Sequence, residues 1–78
     1  MKILISNLNY LTTTTHLRHL FMKYGIIHSV EIIRDNVNGN SSGVGFIQMD
    51  KYPGGVAIQE LNYMKFMNYY IQVSEIPM

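Results

Sequence analysis

Apolar and polar positions alternate at the start of this 78-residue chain, then recur every three to four residues, then alternate again. Lys2-Ile3-Leu4-Ile5-Ser6 is a β-prone run closed by Asn7-Leu8-Asn9, so residues 2–6 are expected as a strand. Leu17, Leu20, Phe21 and Tyr24 fall at i, i+3, i+4 and i+7, one apolar face of a helix over 13–24. The run Thr12 to Thr15 supplies its entry, with Thr12 or Thr13 as N-cap. His16 stands where a capping-box Glu would close the motif, which predicts a weak helix start, and Gly25 takes the favoured C′ stop. A second strand is expected over 28–34, with Val30 and Ile32 on one face and His28 at its entrance without a visible partner. Asp35 to Ser42 is polar or Gly apart from Val37, and its Asn38-Gly39 pair marks a hairpin turn into a third strand over 43–49. Pro53 suits the first turn of a second helix over 53–62, whose Ala57, Ile58 and Leu61 face inward. Gly54 and Gly55 weaken that helix by up to about 1 kcal/mol each relative to Ala. Residues 70–75 close with a fourth alternating strand, Ile71 and Val73 pointing inward.

This order is βαββαβ, an α+β chain. It is expected to form a four-stranded antiparallel sheet of order 4-1-3-2, backed on one face by both helices. No element remains to cover the other face, and function is therefore sought there. Alternation assigns its residues once Ile3, Ile5, Ile47 and Met49 are placed inward. Lys2, Leu4 and Ser6 then face out from the first strand, Glu31 and Ile33 from the second, Val44, Phe46 and Gln48 from the third, and Tyr70, Gln72 and Ser74 from the fourth. Leu4, Ile33, Val44, Phe46 and Tyr70 form an apolar patch on a solvent-facing sheet, and a cluster of that kind calls for a partner.

Composition narrows the choice. The length suits one domain, 1–78, and 47 % apolar residues with nine aromatics suffice for one small core. Apolar runs such as Ile3-Leu4-Ile5 are too short to span a bilayer, so no membrane partner is expected. Met1-Lys2-Ile3 opens without a charged leader or a long apolar stretch, and a cytoplasmic location is expected. With no Cys, disulfides and thiolate metal sites are excluded, and neither a metal nor a cofactor is expected. Six Lys and Arg against five Asp and Glu leave a net charge of +1, so charge alone does not nominate a nucleic-acid binder.

The motifs on the central strands do. Ile3-Leu4-Ile5-Ser6-Asn7-Leu8 resembles the first-strand hexamer of the RNA recognition motif family, and Ser42-Gly43-Val44-Gly45-Phe46-Ile47-Gln48-Met49 resembles its third-strand octamer. Leu17-Arg18-His19-Leu20-Phe21 with Tyr24-Gly25, and Ala57-Ile58, Leu61-Asn62 and Ile71-Gln72-Val73, fit the same family in order and spacing from residue 2 to 74. Asn7-Leu8-Asn9-Tyr10 and the start directly on the first strand resemble its compact single-domain bacterial members. The resemblance implies a ferredoxin-like fold that binds single-stranded RNA on the open sheet face, without enzymatic activity. Members of the family stack bases on three sheet aromatics; the matching positions here are Leu4, Val44 and Phe46, so one aromatic is kept. The basic residue that opens the octamer is Ser42, and the 35–42 loop carries no Lys or Arg. Tyr63 and Asn68-Tyr69 replace a Gly and a Gly-Arg pair of the family pattern. Tyr69 and Tyr70 can supply replacement stacking surface. Asn7, Gln48 and Gln72 offer donors and acceptors for base edges, and Lys2 and Arg34 offer cations for phosphates. The expected RNA-contacting set is thus Lys2, Leu4, Ser6, Asn7, Ile33, Arg34, Val44, Phe46, Gln48, Tyr70 and Gln72, with a footprint of roughly 2–4 nucleotides. The chain ends shortly past the last strand, so no C-terminal helix is expected to extend the site.

Other readings are weaker on the residues. His16 and His19 at i, i+3 have metal-ligand spacing, yet no carboxylate or Cys shares their turn, so solvated side chains are expected. Gly39, Gly43 and Gly45 lack the Lys-Ser/Thr pair of a phosphate loop, and Gly43 and Gly45 more simply permit close packing. Acylphosphatases share the βαββαβ order and cradle phosphate in a Gly-rich first loop with an Arg; residues 9–15 contain neither. The competing function is protein binding or homodimerisation through the same apolar, weakly charged face.

Overall fold

The computed structural model describes residues 1–77. Its strands and helices are β1 (Lys2–Ser6), α1 (Thr14–Met22), β2 (Ile27–Arg34), β3 (Ser41–Met49), α2 (Lys51–Leu61), β4 (Lys65–Phe66), β5 (Tyr69–Tyr70) and β6 (Gln72–Ile76). Four of the strands make one antiparallel sheet of order β2-β3-β1-β6. With β6 as the fourth long strand this is the expected 4-1-3-2 order, and the chain has the βαββαβ ferredoxin-like fold. The central register pairs Leu4 with Phe46 and Ser74, and Ser6 with Gln72.

The core lies on one side of this sheet. Ile3, Ile5, Ile47, Met49 and Val73 from the strands meet Leu17, Leu20 and Phe21 of α1 and Ala57 and Leu61 of α2, all buried. Glycines set how closely the layers approach. A Cβ on Gly45 would stand 2.9 Å from the Glu31 carbonyl oxygen and 3.0 Å from Leu17 Cδ1, and one on Gly43 would stand 3.1 Å from both the Leu8 carbonyl oxygen and the Tyr10 ring.

Several element ends differ from expectation, each for a local reason. The start of α1 is not weak: Thr13 is the N-cap, its Oγ1 accepts from His16 N at 3.2 Å, and Thr13 N donates to His16 Nδ1 at 3.0 Å. The imidazole closes the capping box in place of a carboxylate. Gly25 is not a left-handed C′ residue, because the cap is Lys23 in right-handed geometry. What Gly25 provides is room, since a Cβ there would fall 2.7 Å from Pro53 Cβ at the start of α2. That helix begins two residues before Pro53, at Lys51. Its N-cap Asp50 makes no side-chain cap bond; the carboxylate Oδ1 lies 2.9 Å from His28 Nε2 instead. His28 lies within β2 at a register shift where Ile27 faces Met49 and Ser29 faces Gln48, and the extra residue of such a bulge re-aims its side chain.

The last strand is the main correction. The run expected over 70–75 is split: β6 begins at Gln72, and Tyr70 belongs to a separate two-stranded hairpin in which it pairs with Lys65. Met67 and Asn68 at its tip have φ of 49° and 71°, the geometry of a tight primed turn. Tyr63 also has a positive φ, 65°, at the position where the family pattern carries Gly.

Candidate nucleic-acid interface

Alternation on β3 runs buried at Gly43, Gly45, Ile47 and Met49 and outward at Ser42, Val44, Phe46 and Gln48. Phe46 therefore stands on the face away from the helices, half-buried between Leu4 of β1 and Glu31 of β2, its register partners. Lys2 is on the same face, and its Nζ lies 4.7 Å from the Phe46 ring centroid. An ammonium at that distance is drawn to the ring's negative face. Leu4 and Val44 are half-buried, so the middle of the open face is an apolar strip with one aromatic and one cation at its centre.

Ser6, Gln48 and Gln72 frame this strip: Gln48 faces Lys2 across the β1–β3 ladder and Gln72 faces Ser6 across the β1–β6 ladder. Ile33 is 37 % exposed at the β2 edge, beside the second register shift in the β2–β3 ladder. Arg34 does not join the patch. It is exposed at the end of β2, pairing with the buried Ser41 beyond the second register shift and so away from the Leu4–Phe46 centre of the face. Asn7 has a role beyond the one expected of it: with φ of 58° it ends β1, and its Nδ2 donates to the Tyr70 carbonyl at 2.9 Å. The side chain expected to meet a base edge already holds the hairpin to the sheet. Tyr70 lies outside the sheet ladder, yet the sequence exposed Tyr70, buried Ile71, exposed Gln72, buried Val73 continues the alternation of β6 through the break.

Lys65, opposite Tyr70, was not among the expected residues. The trace its hairpin leaves in the sequence is Asn68 alone, a residue suited to a left-handed turn position. The β2–β3 loop carries no cation; Asp35 Oδ1 accepts from Val37 N at 2.7 Å and Asn38 N at 3.1 Å, closing the turn on itself. These backbone donors hold the Asp35 carboxyl below its ordinary value of 3.8. Among the described residues, no group of three or more His, Cys, Asp or Glu is placed to hold a metal ion, and no helix is long and apolar enough to cross a membrane.

A four-stranded antiparallel sheet of this topology, with an aromatic at the centre of its third strand and both helices on the opposite side, defines an α+β fold with one uncovered sheet face. The chain belongs to the RNA recognition motif family, whose model matches residues 3–72. It is 30 % identical over 76 residues to the putative RNA-binding protein RbpE of Nostoc, covering 96 % of this chain and 77 % of that protein. Among solved structures it is similar to the RNA binding protein PG1, with a TM-score of 0.93, 34 % identity, and 100 % and 99 % of the two chains covered. It is also similar to a Sex-lethal protein/RNA complex, with a TM-score of 0.87, 29 % identity, and 94 % and 46 % covered. The chain spans only 9, 22 and 14 % of three further curated relatives.

Proposed function

We infer that this chain is a module that binds single-stranded RNA on the open face of its sheet, by contact and without catalysis. The observation that carries the reading is Phe46: an aromatic at the family's stacking position, outward on the central ladder, with the Lys2 ammonium 4.7 Å from its ring. A base stacked there meets an apolar bed of Leu4 and Val44, while Lys2 is at hand for the adjoining phosphate. Gln48, Ser6 and Gln72 supply hydrogen-bonding groups around that bed, and a similar protein structure is of a complex with RNA. One stacking ring and few cations make the binding weak.

The test is an NMR titration with a pool of random short RNA, run beside a protein concentration series without RNA. Shifts of β1 and β3 amides that follow the RNA are expected. Shifts that follow protein concentration and ignore RNA would assign the face to a second copy of the chain instead.

A further inference from the structure

The open face does not end at β6. The β4–β5 hairpin is tied to the mouth of the β1–α1 loop by three side chains: Asn7 Nδ2 donates to the Tyr70 carbonyl at 2.9 Å, Asn9 Nδ2 to the Met67 carbonyl at 3.0 Å, and Thr12 Oγ1 to Met67 Sδ at 3.4 Å. Its base is held by backbone bonds from Tyr63 N to the Ile71 carbonyl at 2.7 Å and from Ile71 N to the Met64 carbonyl at 3.0 Å. In a two-stranded pairing, directly opposed residues share a face. Phe66 is opposite Tyr69 and packs against the core, so Lys65 and Tyr70 share the other side. Tyr70 is 61 % exposed, and Lys65 is exposed as well. The hairpin thus presents an aromatic ring and a cation side by side on a clamped support, continuous through Gln72 with the apolar strip.

The charges favour that direction. On the β2 side of Phe46 the open face carries Glu31, which repels a phosphate chain. On the β6 side the outward positions Gln72, Ser74 and Ile76 are uncharged, Glu75 has the opposite parity and pairs with the buried Ile3, and beyond Gln72 comes Lys65. We propose that the β4–β5 hairpin is a second RNA contact, in which the Tyr70 ring stacks a base and Lys65 pairs with an adjoining phosphate, so that the bound strand runs from Phe46 across β1 and β6. This rests on the sheet face being the RNA site, and it assigns to Lys65 and Tyr70 what the family pattern places on the central strands.

Fluorescence anisotropy with a labelled random-sequence octaribonucleotide tests it on the full chain, with thermal melts to establish that each variant is folded. Tyr70→Ala is expected to weaken binding about tenfold, and Tyr70→Phe, which keeps the ring, to bind as the wild type does. Lys65→Gln is expected to weaken binding a few-fold and to flatten the log-log salt slope by about 0.7, the loss of one phosphate contact on a single strand. Folded Tyr70→Ala and Lys65→Gln variants that bind like the wild type, while Phe46→Ala loses affinity, would overturn the hairpin contact and leave the sheet reading standing. Phe46→Ala binding like the wild type would overturn the sheet reading itself.

Discussion

Phe46 connects the residue scale to function. Its outward parity on β3 means that Phe46→Ala opens no core cavity, so the fold is expected to lose well under the roughly 3–5 kcal/mol that truncating a buried Phe costs, while RNA affinity falls by about 1–3 kcal/mol. A urea melt and an RNA titration on the same variant check both halves; a large stability loss would mean that the ring packs under the helices. Asp35 gives a second residue-level expectation. The Asn38 amide and then the Val37 amide favour its ionised form in the native state alone, so its folded carboxyl titrates below the unfolded value. The contribution is therefore present above the unfolded value, near 4, and is lost as pH falls through the lowered native one. Titration of the Asp35 carboxyl carbon by NMR should place its midpoint below 3.8, whereas an ordinary midpoint would show that the turn's hydrogen bonds are not held in solution.

Within elements, glycines of the same type behave oppositely according to what surrounds them. Gly55 lies in α2 with nothing within 4 Å of an added Cβ, so Gly55→Ala should stabilise the protein by about 0.5–1 kcal/mol through helix propensity alone. Gly25 faces Pro53 at 2.7 Å, so Gly25→Ala should destabilise by about 1–3 kcal/mol through overpacking between the α1–β2 connection and α2. Paired chemical melts read both signs, and equal effects would contradict the packing described. The elements themselves were legible because each has a period: three- and four-residue spacing for α1, alternation for β1, β3 and β6. The β4–β5 hairpin was not, since two strands of two residues each have no period to read. Its turn depends on Met67, a residue that rarely adopts positive φ and is held there by bonds from Asn9 and Thr12, far away in sequence.

At the scale of the molecule, charge limits affinity. A net charge of +1, with Lys2 and Lys65 beside the open face and its hairpin and Arg34 at the end of β2, allows few phosphate contacts. Binding is expected in the micromolar range or weaker, with a log-log salt slope of about −1 to −2. Titrations at several salt concentrations measure this directly, and nanomolar affinity with a steep slope would show that other surfaces contribute.

Pattern along the chain was enough to determine the βαββαβ order, the inward set Ile3, Ile5, Ile47, Met49 and Val73, and the outward parity of Leu4, Val44 and Phe46, because local periodicity dictates which side of a helix or strand each residue takes. The partners were decided only by tertiary structure. His28 against Asp50, Asn7 on the Tyr70 carbonyl, and Tyr70 beside Lys65 rather than beside β1 follow from a bulge, left-handed residues and a turn. Such features re-aim single side chains without disturbing the periods on either side of them, so they leave little trace in the pattern and become visible only when the chain is folded.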